Sequence, residues 1–443
     1  MARCRTQTTY MKRSEEMKKF LSAAVAFGMI AGVAATASAL ELKVKGSYEA
    51  DGYWIDGAST NGIDPWENSN DADWYQHRFR MQPDLIVNDK VMVKSDIRLI
   101  SSNTVWGAQD DLNTDNGNNM NIDKLWLVYD SPIGKWEVGR RPGGSWGLDF
   151  VSSSSNADRI MWWAPTSGPF QAYAFLQKSV EYDKEMGLDS DGPLVSGFNG
   201  YDSDYYETAV GYKTDTVTAW MGIGTAQEQA VNGIEGFDKD MWRVKGYGTF
   251  GLGAVTLASE FDYKFGSLGD NDYNSYAVLV AALGNVGNIS WLAGAATISG
   301  DNDTDNDMEA YDPDHGTGDD FEPLYILTGN RTNVLNGDAG NNFVGNLVRT
   351  SGVIALVATA DYKVSEDLSL HGGFGGGWAD AEPTGFDDAY GWEVDAGLSY
   401  QLYQNLTYDL HFGYWFVGDF ADAGGALNTD DVMLLSHHLT MKF

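Results

Sequence analysis

The sequence predicts an all-β chain closed into an antiparallel transmembrane barrel of about 16–18 strands, with 18 the better count. Three observations carry this. Apolar and polar residues alternate with a period of two over runs near the length of a tilted membrane strand, about 9–11 residues in the core. The links between runs are alternately short and long. The final run ends on an aromatic residue, Phe443, at the last position of the chain.

The N-terminus is set apart from this pattern. Lys18 and Lys19 precede an apolar run from Phe20 to about Ala35, and Ala37-Ser38-Ala39 follows as a small-residue cleavage site. That is the layout of a secretory signal, so residues 1–39 are expected to be removed and 40–443 to form one barrel. Met17 reads as the start. The residues before it, including the single cysteine Cys4, read as an over-extended gene prediction.

The first strand alternates Leu42, Val44, Gly46, Tyr48, Ala50, Gly52 and Trp54 with Lys43, Lys45, Ser47, Glu49 and Asp51. In the second, Tyr75, His77, Phe79, Met81 and Leu85 oppose Gln76, Arg78, Arg80, Gln82 and Asp84. After a tight turn at Asn88–Lys90, Val91, Val93 and Ile97 oppose Lys94, Asp96 and Arg98. Aromatics gather near run ends, as at Trp74–Tyr75, Trp126 and Tyr129, Tyr400 and Tyr403, and Tyr414–Phe416. Rings that are apolar with a polar edge settle at the two membrane interfaces. Short turns recur on one side, for example at Ser131–Gly134, Gly251–Gly253 and Gln404-Asn405. Long acidic links recur on the other, near 56–72, 103–120, 142–157, 184–203, 226–239, 300–350, 379–388 and 418–430. Parity between the two sides requires two further strands, Arg159–Ala164 and Phe170–Tyr182, which brings the count to 18. In the last strand Leu435, His437, Leu439, Met441 and Phe443 share one face. Leu439, Met441 and Phe443 are the expected assembly signal, read by barrel assembly machinery.

Composition excludes several classes. Of 29 Lys/Arg and 63 Asp/Glu, six and two precede Leu40, so the remainder carries 23 against 61, a net of −38. Such acidity repels nucleic acid. Without cysteine after residue 39 there are no disulfides, thiolate zinc sites or c-type haem attachment. Asp301–Asp307 begins like a calcium loop but lacks the sixth-position Gly and twelfth-position Glu. Gly372–Gly377 lies in mid-strand, where glycine allows close approach or bending and not dinucleotide binding. The histidines have no metal-ligand spacing, His437 and His438 falling on opposite faces. Ser152–Ser155 carry no nucleophile elbow. No cofactor, metal or enzymatic activity is expected.

Arg78 and Arg80, Lys94 and Arg98 on the next strand, and Arg140/Arg141 two strands on would form a basic wall inside the barrel, next to Asp96. Which of Arg140 and Arg141 faces inward is left open, because strand ends often carry bulges. Asp149 and Asp158, on the link 142–158, could face that wall. A basic wall opposite an acidic loop sets a transverse field across a narrow wet passage. The bland alternative is that these arginines only solvate the lumen or pair with Asp84 and Asp96.

Leu125–Tyr129, the turn, then Trp136–Pro142 ending Gly-Arg-Arg-Pro, resemble Gram-negative trimeric porins, as do Arg159-Ile-Met-Trp-Trp and Gly168-Pro-Phe. The resemblance implies an inward third loop at 142–158, a basic residue at Arg159 beside it, an outer-membrane location in contact with lipid and lipopolysaccharide, a homotrimer, and diffusion of small hydrophilic solutes. The porin loop signature Pro-Glu-Phe-Gly-Gly is replaced here by Gly143–Phe150, and 18 strands exceed the usual 16 of that family. The rival readings are a substrate-selective channel, a barrel enzyme, and a structural or adhesive barrel with a closed lumen.

Mass spectrometry of protein extracted from outer membranes is expected to find Leu40 as the first residue; retention of the Phe20–Ala35 stretch would overturn the export signal.

Overall fold

A computed structural model describes residues 40–59, 62–63, 70–106, 121–144, 146–151, 156–180, 203–228, 239–269, 271–301, 307–311, 321–329 and 350–443. The expected signal segment, Ser152–Ser155, residues 302–306 of the calcium-like stretch and His315 lie outside the described residues.

Among these, eighteen long strands form one antiparallel sheet. They are β1 (Glu41–Ser59), β2 (Asn70–Asn88), β3 (Val91–Val105), β4 (Asn121–Ser131), β5 (Gly134–Arg141), β6 (Ala157–Trp163), β7 (Phe170–Val180), β8 (Ser203–Lys213) and β9 (Val217–Glu228). The second half comprises β10 (Lys239–Leu252), β11 (Val255–Leu268), β12 (Asn271–Val286), β13 (Ile289–Ile298), β14 (Val353–Lys363), β15 (Leu368–Trp378), β16 (Ala389–Tyr403), β17 (Leu406–Val417) and β18 (Val432–Lys442). Each pairs with the next in sequence, and β1 pairs with β18, which closes the sheet on itself. A two-residue strand, Gly62–Ile63, extends the loop-side end of β1. The count of 18 agrees with the parity argument. Several strands run further into the long links than the alternation alone marks.

Closure leaves no unpaired edge, so the wall satisfies its own backbone groups, which is what a sheet in hydrocarbon requires. The two faces are reversed relative to a water-soluble protein. Leu42, Val44, Leu257, Tyr263, Ile354, Leu356, Val394 and Leu435 are exposed on the outer face. Gln76, Asp96, Glu207, Lys245, Glu260, Asp262 and Glu393 are buried on the inner one. Strand alternation with apolar residues outside and charge inside defines a membrane barrel. Among the described residues no helix is long and apolar enough to cross a membrane.

The seam is built around the chain end. The Gly46 N–H donates to the Phe443 carbonyl at 2.9 Å and the Phe443 N–H donates back to Gly46 at 3.0 Å. The Phe443 ring lies on Gly46 and 6.2 Å from Phe79. A Cβ at Gly46 would meet that ring and also the Arg80 carbonyl at 2.7 Å. Facing across β18 is as the alternation requires: His438 turns inward to Asp51, and His437 turns outward between Tyr75 and Tyr408.

Because backbone stands behind Gly46, Gly46→Val should displace Phe443 and destabilise the seam by an overpacking cost of roughly 1–3 kcal/mol. Deleting Phe443 should be more severe and leave protein that does not show the heat-dependent gel shift of a folded barrel. Normal yields of shifted protein from both variants would mean that the seam does not depend on this contact.

Candidate functional site

Lumen-facing charge is densest on β2–β4. Arg78 pairs with Glu49. Arg80 lies 3.3 Å from Asp96 and 3.4 Å from Asp123, and Arg98 lies 2.8 Å from Asp123. Lys124 reaches Asp96 at 3.0 Å, and Gln82 donates to the same carboxylate at 3.1 Å. The register shifts between Asp96 and Ile97 against β4, and this irregularity lets the consecutive residues Asp123 and Lys124 both join the network. Lys94 stands in register with Asp84 and Trp126. The arginines of the wall are thus ion-paired, the arrangement that the bland alternative describes, although the partners extend to Glu49 and Asp123.

The pair Arg140/Arg141 divides as strand alternation requires, Arg141 on the face of Glu137 and Arg140 on that of Val138. Arg141 turns inward and bonds Glu137 at 2.8 Å. Arg140 stands in register with Leu125 and with Asp158, on the face of the exposed Val138 and Ile160. It bonds Asp158 at 3.2 Å, both side chains about half exposed. Arg140 and Asp158 therefore sit on the outer face and are removed from the lumen set. Asp149 does not face the basic wall as an isolated charge either. It adopts φ 63° and accepts from the Trp146 N–H at 3.0 Å, closing its own turn.

The described part of the 142–158 link packs against inward-facing residues of β6, β7 and β9–β12. Trp146, Phe150 and Val151 are buried with Met161, Tyr173, Trp220 and Leu279. Its backbone is tied at both polarities. Glu260 accepts from the Leu148 N–H at 2.7 Å and the Val151 N–H at 3.0 Å. Arg159 donates to the Gly143 carbonyl at 2.8 Å and to Gln177 at 2.7 Å, while Arg243 donates to the Val151 carbonyl and pairs with Asp262 at 2.8 Å. Lys245 sits 4.4 Å over the Trp146 ring and 3.0 Å from Glu207, which also accepts from Tyr173 at 2.6 Å.

A second inward segment, Phe321–Gly329, falls within the link that the sequence marks only as long and acidic. Leu324, Ile326 and Leu327 are buried with Tyr53, Ile55, Val353, Trp415 and Leu434. Glu393 accepts from the Ile326 and Leu327 N–H groups at 2.7 and 2.6 Å, and Asp395 accepts from the Tyr325 N–H at 3.1 Å. The Tyr325 ring stacks on His411 at 4.2 Å. Glycines make the room: a Cβ at Gly375 would meet Leu324 at 2.7 Å, and one at Gly413 would meet Ile326 at 3.2 Å. Beside the segment lies a polar cavity of about 290 Å³ bordered by Glu49, Asp51, Arg78, Asp409, His411 and His438. Among the described residues no group of His, Asp or Glu is arranged to hold a metal ion.

Arg243, Lys245, Glu260, Asp262, Glu393 and Asp395 were missed by the sequence reading. Their signal was the same as that of Arg78 and Arg80, charge on one face of an otherwise apolar strand.

No protein-family model and no curated protein matches the chain. Solved structures do. Pseudomonas aeruginosa OccK3 (OpdO) is 12% identical, with 90% of this chain and 96% of that one covered at a TM-score of 0.54. A BenF-like porin from Pseudomonas fluorescens Pf-5 is 10% identical over 91% and 99%, TM-score 0.54. The outer membrane protein OpdK of P. aeruginosa is 10% identical over 90% and 99%, TM-score 0.53. At this identity the likeness is one of fold: the chain has the fold of Gram-negative outer-membrane porins and the outer surface of an outer-membrane barrel.

Replacing Glu260 by Gln removes a charged acceptor from two backbone donors, a loss of roughly 1–3 kcal/mol from the seat of residues 146–151. Hydrogen exchange at Leu148 and Val151 should accelerate while the amides of β10–β12 stay protected. Unchanged protection at Leu148 would show that the aromatic packing alone holds the segment.

Proposed function

We propose that the protein is an outer-membrane channel through which small hydrophilic solutes diffuse passively, and that the two inward segments make it selective by size and charge. The observation that carries this is the ion-paired ladder Arg78, Arg80, Arg98 and Lys124 with Glu49, Asp96 and Asp123 along the inner wall of a closed barrel. Ion pairs between side chains of the wall add no stability that apolar residues would not supply as well, whereas a water-filled passage requires a polar lining. The inward segments favour the selective form of channel over an open diffusion pore. A homotrimer in contact with lipopolysaccharide completes the reading, on the resemblance to trimeric porins. No enzymatic step is assigned to the barrel.

The ladder also addresses the sign of selectivity. Loop charges act through water and are screened within about 8–10 Å at physiological salt. Charges on the wall act where the effective dielectric is lower, so each weighs more on a passing ion. Since the wall's cations are matched by nearby carboxylates, the channel should show weak anion preference or none, despite the net −38 of the chain after residue 39.

Planar-bilayer recording tests both statements. Stepwise conductance is expected from the purified protein, with a reversal potential near zero or slightly anion-selective under a salt gradient. The variant Arg78→Glu/Arg80→Glu/Arg98→Glu should shift it toward cations. An unchanged reversal potential would remove these arginines from the permeation path, and absence of any conductance would sink the channel reading.

A further inference from the structure

The two inward segments are held differently. Residues 142–151 are gripped by Glu260 and by two arginines, Arg159 and Arg243. Three successive N–H groups of the second segment, those of Tyr325, Ile326 and Leu327, instead converge on Glu393 and Asp395. Successive backbone N–H groups make an anion-binding concavity, and here the wall supplies the anion. Among the described residues no Lys or Arg acts on either carboxyl group. The two carboxyls also lie close together: a Cβ at Gly413 would meet Asp395 Oδ1 at 3.0 Å and Glu393 Oε1 at 3.2 Å. Both are buried.

We propose that residues 324–327 are a proton-operated gate in the lumen, held down by the charged Glu393–Asp395 pair and released when acid neutralises that pair. This rests on the channel reading above. Protonation removes the charge and turns one oxygen of each carboxyl into a hydroxyl donor. Glu393 then keeps one carbonyl oxygen for the two N–H groups of Ile326 and Leu327, so one of them faces a donor and the bonds that seat the segment are weakened. The surrounding titratable groups do not reverse this sign. They are His371 on β15, His411 on β17, His438 on β18, Asp361 on β14 and Asp409 on β17, and acid can only add protons to them. No new anion is created for the N–H groups to bind. Tyr325, stacked on His411 and tilted against His371, gains no backbone acceptor in acid. The glycines at 373, 375, 397 and 413 form a smooth seat, so the segment is held mainly by its polar bonds and by Leu324, Ile326 and Leu327.

Two measurements on the full-length barrel test the gate. The first is single-channel conductance of the wild type and of Glu393→Gln/Asp395→Asn, which carries no charge at any pH. Wild-type conductance should rise about twofold or more between about pH 7 and about pH 4, the range in which carboxylates titrate. The double variant should hold the higher level throughout. The second is hydrogen exchange of the wild type, corrected for the intrinsic pH dependence of exchange. The amides of 325–327 should lose protection in acid while those of 146–151 and of the strands keep it. This second arm stands even where the variant does not fold. Retained protection at 325–327 in acid overturns the gate, as does a folded double variant with the wild type's neutral conductance and acid response. Protection lost in acid without conductance at any pH would overturn the channel reading, and the gate with it, and leave only an acid-labile seat for residues 324–327.

Discussion

The structure depends on one constraint: every backbone N–H and C=O must find a partner, whether it faces hydrocarbon or the interior of the barrel. The wall meets this by closure, each strand bonding to both neighbours and β1 to β18. Chain that leaves the wall and enters the lumen loses those partners. Both inward segments regain them from charged side chains on inner strand faces. Glu260, Glu393 and Asp395 take the donors, and Arg159 and Arg243 take carbonyls. The buried carboxylates of β11 and β16 are therefore explained by the loops they hold. An apolar residue at either place would leave orphan N–H groups under the segment.

Volume is the second half of the same arrangement. A chain segment inside a barrel needs space that the wall must surrender, and the wall surrenders it where side chains are absent. Gly373 and Gly375 on β15, Gly397 on β16 and Gly413 on β17 lie under Leu324–Leu327. Under residues 146–151 the solution differs: Gly222 lies beside Trp146, and Trp220, Tyr173 and Tyr247 receive its ring edge-on. One segment is bedded in aromatics, the other laid on glycine.

Strand alternation made most of the wall legible before any coordinates. It placed β1–β5 and β8–β18 to within a few residues, and parity demanded β6 and β7. It also placed Arg78, Arg80 and Arg98 on the inner face. It failed where the period breaks. The shift between Asp96 and Ile97 brought Asp123 into a network that period two denies it. The inward path of 321–329 had no periodic signal, because a turn bonded to side chains on a remote strand obeys no local repeat. Its trace in the sequence lay elsewhere, in Gly372–Gly377 and in Glu393 and Asp395 on a strand that is otherwise apolar, and these have meaning only once the strands are adjacent.

Charge on the outer face is informative for its position. In register across four strands stand Arg140, Asp158, Lys178 and Asp204, at the loop-side ends of β5, β6, β7 and β8. Arg140 pairs with Asp158 at 3.2 Å and Lys178 with Asp204 at 3.0 Å. One step toward the short turns the same face carries Val138, Ile160 and Tyr206, all exposed. On the lipid face of a barrel, Arg or Lys at mid-membrane costs roughly 2–4 kcal/mol and near the interface about 0–1. The row of ion pairs thus marks a height at which hydrocarbon has given way to headgroups, and the apolar belt begins immediately beneath it. Tyr206 spans the boundary, its ring in the belt and its hydroxyl on Asp204 at 3.2 Å, as an interfacial aromatic should. Among the described residues of β5–β8 the alternation that sends charge inward permits it outward at that line alone, so Arg140 and Asp158, expected in the pore, instead help to record the depth at which the barrel sits.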